Sequence, residues 1–177
     1  AVRDLLFNRD GLMLGICNGF QALVKLGLVP YGDIRPMDDE CPTLTFNTIG
    51  RHQSRLVRTR VASNLSPWLS QCEPGDIHTV AISHGEGRFV CGPELQHQLE
   101  VTGRIATQYV DEAGQPSMDW DVNPNGSVMA IEGITSPDGR VLGKMGHVER
   151  RGDGLYKNVP GNKFMPLFES GVKYFTD

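Results

Sequence analysis

Leu12-Met13-Leu14-Gly15-Ile16-Cys17-Asn18-Gly19-Phe20-Gln21 runs from a compact apolar stretch, through a cysteine framed by glycines, into an amphipathic segment. Leu12 to Ile16 has the composition of a buried strand. From Asn18 to Leu26 the apolar residues Phe20, Leu23, Val24 and Leu26 recur at helical spacing, and Gly27 supplies a stop. Strand, Gly-x-Cys-x-Gly turn and helix together make the pattern of a nucleophile elbow, a turn so tight that side chains beside the nucleophile would clash. The turn would raise the Cys17 sulfur above the sheet edge and set it at a helix N-terminus, where partial positive charge favours thiolate over thiol. The Asn18 backbone N–H would then face a developing oxyanion. Taken alone, the pentapeptide fits a buried cysteine in a glycine turn equally well.

Working outward, residues 1–9 place Val2, Leu5 and Leu6 at helical spacing, and residues 30–50, rich in Pro, Asp and Thr, read as a surface loop. Strands are expected at Leu56 to Val61, Ile77 to Ser83 and Arg104 to Val110, with a helix at Glu94 to Leu99 between the last two. Val128 to Ile134 and Arg140 to Met145 flank Thr-Ser-Pro-Asp-Gly, a hairpin signal. A short helix is expected within residues 162–171. Strands alternating with helices, then a late hairpin, predict an α/β fold with a mainly parallel sheet and an antiparallel edge hairpin.

The 177 residues, 39% of them hydrophobic, suit one globular domain. Seventeen basic and 21 acidic side chains give a net charge of −4, which offers no electrostatic reason to bind nucleic acid or an anionic membrane. No apolar run reaches the roughly 18 residues a membrane span requires, and no signal peptide opens the chain, so a cytoplasmic setting is expected. The four cysteines, at 17, 41, 72 and 91, include no Cys-x-x-Cys pair and predict neither a disulfide framework nor a metal site. The Asn-x-Ser matches at Asn64 and Asn125 read as chance.

A thiol nucleophile needs a base, and the base an orienting group. Gly146-His147-Val148-Glu149-Arg150 offers both, since residues two apart on extended backbone project to one side. Whether His147 and Glu149 touch depends on the local backbone. Ser83-His84-Gly85-Glu86-Gly87-Arg88 follows an apolar strand; its glycines allow close approach of a ligand, and its polar side chains offer hydrogen bonds. Two nucleotide-binding patterns fail. Val90 stands where a dinucleotide fingerprint needs its third glycine, and the loop before Lys144 has the wrong length for a P-loop.

In this order, the elbow, SHGEGR and GHVER resemble the glutaminase domain of phosphoribosylformylglycinamidine synthase, a class I glutamine amidotransferase with a flavodoxin-like fold. The likeness extends over Gly15 to Gln21, Ser83 to Arg88 and the long segment from Asn123 to Arg150 (NPNGS…IEGITSPDGRVLGKMGHVER). Asn47-Thr-Ile-Gly50-Arg51, leading to Arg55, resembles a further family segment. The resemblance implies that Cys17 is the nucleophile, His147 the acid/base and Glu149 its orienting carboxylate. By the same likeness Gln21, His84, Gly85 and Glu86 lie near the substrate glutamine. It implies hydrolysis of glutamine through a cysteine thioester, with ammonia passed to a synthetase domain or subunit for the ATP-dependent conversion of formylglycinamide ribonucleotide to the amidine in purine biosynthesis. No cofactor is implied for this domain; ATP and Mg would belong to the synthetase. Family domains begin with a further strand and a Gly-rich loop carrying a second oxyanion donor. The present chain opens after them, so residues 1–177 are expected to be an N-terminally shortened amidotransferase domain, the C-terminal part of a larger synthetase. Two other readings stay open: another thiol hydrolase with a cysteine elbow, and a non-catalytic docking module of the same synthetase.

Overall fold

The apolar run before Cys17 becomes β1 (Met13–Ile16) in the computed structural model of the protein, which describes residues 1–176. Ahead of it, Asp4–Asn8 forms a single π-type turn. After it comes α1 (Asn18–Leu26), ended by Gly27 at φ 82°, and a one-turn segment α2 (Leu28–Tyr31). The strands β2 (Thr43–Thr45), β3 (Gln53–Val61), β4 (Ile77–His84) and β5 (Arg88–Val90) follow. Then come α3 (Pro93–Val101), β6 (Ile105–Tyr109), β7 (Ile131–Thr135), β8 (Val141–Lys144) and α4 (Leu167–Lys173).

Six strands form the main sheet in the order β1-β8-β7-β6-β3-β4, while β2 and β5 pair separately. The fold is α/β, but the sheet is mixed and not mainly parallel. β1 runs parallel to β8, whereas the β8–β7, β7–β6, β6–β3 and β3–β4 pairings are antiparallel. The physical reason lies in β3. A helical crossover through α3 does join two parallel strands, β4 and β6. The long strand β3 lies between them, however, and is antiparallel to both. The hairpin of β7 and β8 forms as its turn residues require, with Gly139 at φ 78°. It sits inside the sheet, because β1 pairs with the far side of β8. The loop expected at residues 30–50 contains β2, and Val128–Ala130 is a 3-10 turn, not strand.

Consecutive residues of β8 show how both faces are covered. Val141 joins an apolar cluster with Phe20, Val24 and Ile134, and Leu142 joins another with Ile82, Ala106 and Leu167. This is the two-residue alternation of a sheet buried on both sides. α1 lies directly on β8. A Cβ added at Gly143 would be 2.1 Å from the Phe20 ring, so only glycine admits the helix this close. Among the described residues no helix is long and apolar enough to cross a membrane.

Candidate active site

Two backbone ties place Cys17. Its N–H donates to the Lys144 carbonyl at 2.8 Å, extending the β1–β8 ladder by one residue, and its carbonyl accepts the Gln21 N–H at 3.1 Å as α1 begins. Between them the chain bends sharply, leaving Cys17 at φ 54°, ψ −108°. A non-glycine residue held in such a conformation stores about 1–3 kcal/mol and requires its surroundings to enforce it. Gly15 makes the bend possible, since a Cβ there would lie 2.7 Å from the Gly19 backbone. The Cys17 thiol donates to the Ser83 carbonyl at 3.7 Å.

The electrostatics of Cys17 correct the sequence-based expectation. Partial burial raises the thiol pKa above its ordinary value and outweighs the Asn18 N–H aimed at the sulfur and the charge of Arg150; Glu149 adds to the rise. The helix N-terminus is present, but desolvation wins. Cys72 and Cys91, buried without such compensation, are pushed up to about 11.

His147 follows β8 after one turn. Its N–H donates to the Ala81 carbonyl at 2.8 Å, an isolated antiparallel bridge to β4. Its Nδ1 lies 2.5 Å from Glu149 Oε1, so the backbone does bring the His-x-Glu pair into contact. An ionised carboxylate can only accept, so Nδ1 is the donor in this contact. Nε2 is buried and has no hydrogen-bond partner. Arg150 Nε approaches the same carboxylate oxygen at 3.9 Å.

The loop from Ser83 to Arg88 is built around Asn47. Asn47 Oδ1 accepts from His84 Nδ1 at 3.1 Å and from the Gly87 N–H at 3.1 Å; its Nδ2 donates to the His84 carbonyl at 2.8 Å. His84 therefore lies beneath the loop, 5% exposed, with its pKa lowered to about 4 by burial first and then by His52. Gly85 borders open space, and Glu86 is exposed. Gln21 Nε2 donates to the Glu86 carbonyl at 2.7 Å, joining α1 to the loop. Asn125 is wholly buried and donates to the Gly87 carbonyl and to Tyr109 Oη, so it cannot accept a glycan as folded. A groove of ≈ 660 Å³ is lined by Glu149, Leu155, Tyr156, Phe164 and Phe168.

Sequence reasoning missed Glu132 and Lys144. Both are fully buried, and Nζ lies 3.0 Å from Oε1. Their signal was available: one acid and one base stand in the mostly apolar arms of a hairpin, and Lys144 pairs with Gly133, the neighbour of Glu132.

Known proteins resemble this chain along most of its length. The family model described as CobB/CobQ-like glutamine amidotransferase domain matches residues 1–175. Among curated proteins, phosphoribosylformylglycinamidine synthase subunit PurQ of Synechococcus sp. (strain JA-2-3B'a(2-13)) is 36% identical over 167 residues, covering 94% of this chain and 64% of the relative. The protein of the same name from Synechococcus sp. (strain JA-3-3Ab) is 37% identical over 165 residues, covering 93% and 63%. A chain in the structure of PurLQS from Thermotoga maritima superposes with a TM-score of 0.67 at 27% identity, over 95% of this chain and 64% of that one. The chain thus spans a little under two thirds of the length of these relatives.

Proposed function

The chain belongs to the CobB/CobQ-like glutamine amidotransferase family, and we propose that it hydrolyses glutamine through a Cys17 thioester and delivers ammonia to a synthetase. The reaction served is the ATP-dependent conversion of formylglycinamide ribonucleotide to formylglycinamidine ribonucleotide, in keeping with the names of the curated relatives. ATP and Mg²⁺ would act at the synthetase's own site, and the pair would work in the cytoplasm.

The observation that carries this reading is the state of His147. Its Nδ1 lies on Glu149 at 2.5 Å while Nε2 is buried without a hydrogen-bond partner, and Glu149 and Arg150 of the same turn act electrostatically on Cys17. An imidazole so held has one nitrogen free for proton transfer. In the proposed cycle Nε2 takes the Cys17 proton, and the thiolate attacks the glutamine side-chain carbonyl carbon. The oxyanion meets the Asn18 N–H. As the C–N bond breaks, imidazolium Nε2 protonates the leaving nitrogen, which departs as ammonia. Nε2 then draws a proton from water, the resulting hydroxide adds to the thioester, and C–S cleavage releases glutamate and restores the thiol. Gln21 and Glu86, with His84 and Gly85 shaping the loop, would border the amino-acid end of the substrate.

The test uses the full-length protein together with its synthetase. Cys17→Ala is expected to abolish glutamine-dependent amidine formation and spare the ammonia-dependent reaction, because the thiol serves only to release ammonia. Equal loss with both nitrogen donors would refute the assignment.

A further inference from the structure

We infer that the buried Glu132–Lys144 pair is the positioning element of the active site, fixing the cysteine elbow and the histidine turn relative to each other; the inference rests on the glutaminase reading and deepens it. Lys144 is tied to both catalytic turns. Its backbone carbonyl accepts the Cys17 N–H at 2.8 Å, while its ammonium donates to the Gly146 carbonyl at 3.1 Å. Glu132 completes the frame. Oε1 accepts the Gly146 N–H as well as the Lys144 ammonium, and Oε2 accepts the Thr107 hydroxyl. The Glu132 carbonyl also accepts the Met145 N–H at 3.1 Å. Gly146 is thus gripped through both its N–H and its C=O, and His147 is the next residue.

Stability alone gives a poor reason for this pair. Replacing a buried ion pair with apolar side chains of similar volume is often neutral or stabilising. Apolar side chains could not, however, hydrogen-bond both sides of Gly146. The packing is closed around this contact: a Cβ on Gly146 would fall 2.8 Å from Glu132 Oε1 and 3.1 Å from Lys144 Nζ. Neither charged group is placed to meet substrate, since both are wholly buried. They act through Gly146 and through the Lys144 backbone.

The experiment measures kcat and KM for glutamine, together with Tm, in the full-length protein with its synthetase. Variants are Thr107→Val, Lys144→Met and Glu132→Gln/Lys144→Met. Thr107→Val removes one donor from the carboxylate and is expected to lower kcat about tenfold with KM within about twofold, a misplacement effect. Lys144→Met strands a buried charge and should lower Tm. The neutral double variant should recover much of that Tm while kcat stays about 100-fold down, because the Gly146 carbonyl still lacks its ammonium. A kcat that recovers in step with Tm, or an unchanged kcat in Thr107→Val, would overturn the positioning role. Cys17→Ala run in parallel separates the two ideas: glutamine hydrolysis surviving in that variant defeats the glutaminase reading itself, whereas its loss beside a normal Thr107→Val defeats only the positioning role.

Discussion

Cys17 and His147 are anchored to the same strand two residues apart, the thiol on the Ser83 carbonyl at 3.7 Å and the His147 N–H on the Ala81 carbonyl at 2.8 Å. Strand β4 is therefore the common rail for both turns, although neither residue belongs to it. In this resting geometry the thiol proton is directed to a backbone oxygen and His147 Nε2 is unpartnered.

The charges beside Cys17 predict opposite shifts of its ionisation. Arg150 lowers the thiol pKa and Glu149 raises it, against a rise set mainly by burial. The pH dependence of iodoacetamide alkylation, followed by peptide mass spectrometry, should therefore move up in Arg150→Ala and down in Glu149→Gln. Unmoved profiles would mean that solvent screens both charges from the sulfur. Cys17 should also alkylate at lower pH than Cys72 and Cys91, whose thiols burial pushes up to about 11.

In the proposed cycle the roles of His147 and Glu149 are unequal. His147→Ala removes the proton carrier and is expected to cost about 10²-fold or more in glutamate release. Glu149→Gln keeps a partner for Nδ1 and should retain more activity, since the carboxylate orients the ring without moving the proton. Glu149 is half exposed, so its replacement should leave folding stability within about 1 kcal/mol of wild type. Turnover of His147→Ala close to wild type, in a well-folded protein, would exclude it from the mechanism.

Acid should weaken the fold through His84. Its folded pKa, about 4, lies below the unfolded value near 6.5, because burial disfavours the charged ring. Between these values the unfolded chain binds the extra proton. The stability contributed by neutral His84 is complete above about pH 6.5 and is lost as pH falls toward 4, to a total of about 3 kcal/mol. His84→Asn keeps a donor for Asn47 without a titrating ring, so urea melts from pH 7 to 4.5 should show a flatter slope for this variant. Parallel slopes would show that the ring is not protected from protonation.

Gly143 tests the contact between the elbow helix and the sheet. Gly143→Ala drives a methyl into the Phe20 ring and should destabilise by about 1–3 kcal/mol. Because Phe20 belongs to the helix that begins at Cys17, activity should fall further than the loss of folded protein explains. A Tm equal to wild type would mean that α1 can lift from β8 freely.

The elbow was readable from residues 12–27 because strand, turn and helix are each specified locally: an apolar run, flanking glycines and a 3.6-residue period. The hairpin at residues 131–144 was readable for the same reason. What local pattern could not supply was pairing. Nothing within residues 53–61 states that β3 will separate β4 from β6, and that insertion turned an expected parallel sheet into a mixed one. The Cys17 ionisation was misjudged on similar grounds, since the helix end is visible in sequence and the packing that desolvates the sulfur is not. His-x-Glu contact was left open by spacing and decided by the backbone after β8, itself fixed by Glu132 and Lys144.

The parallel pairing of Met13–Ile16 with Val141–Lys144 joins opposite ends of the chain. Closing so long a loop is among the costlier steps for a folding polypeptide, and nearby hairpins such as β3–β4 and β7–β8 can form without it. Cys17 and His147 are consequently brought to one sheet only when the terminal halves have docked. Under the proposed function a half-assembled chain would carry every residue of the cycle and yet be chemically silent, so the onset of glutamine cleavage during refolding would serve as a clock for the final docking event.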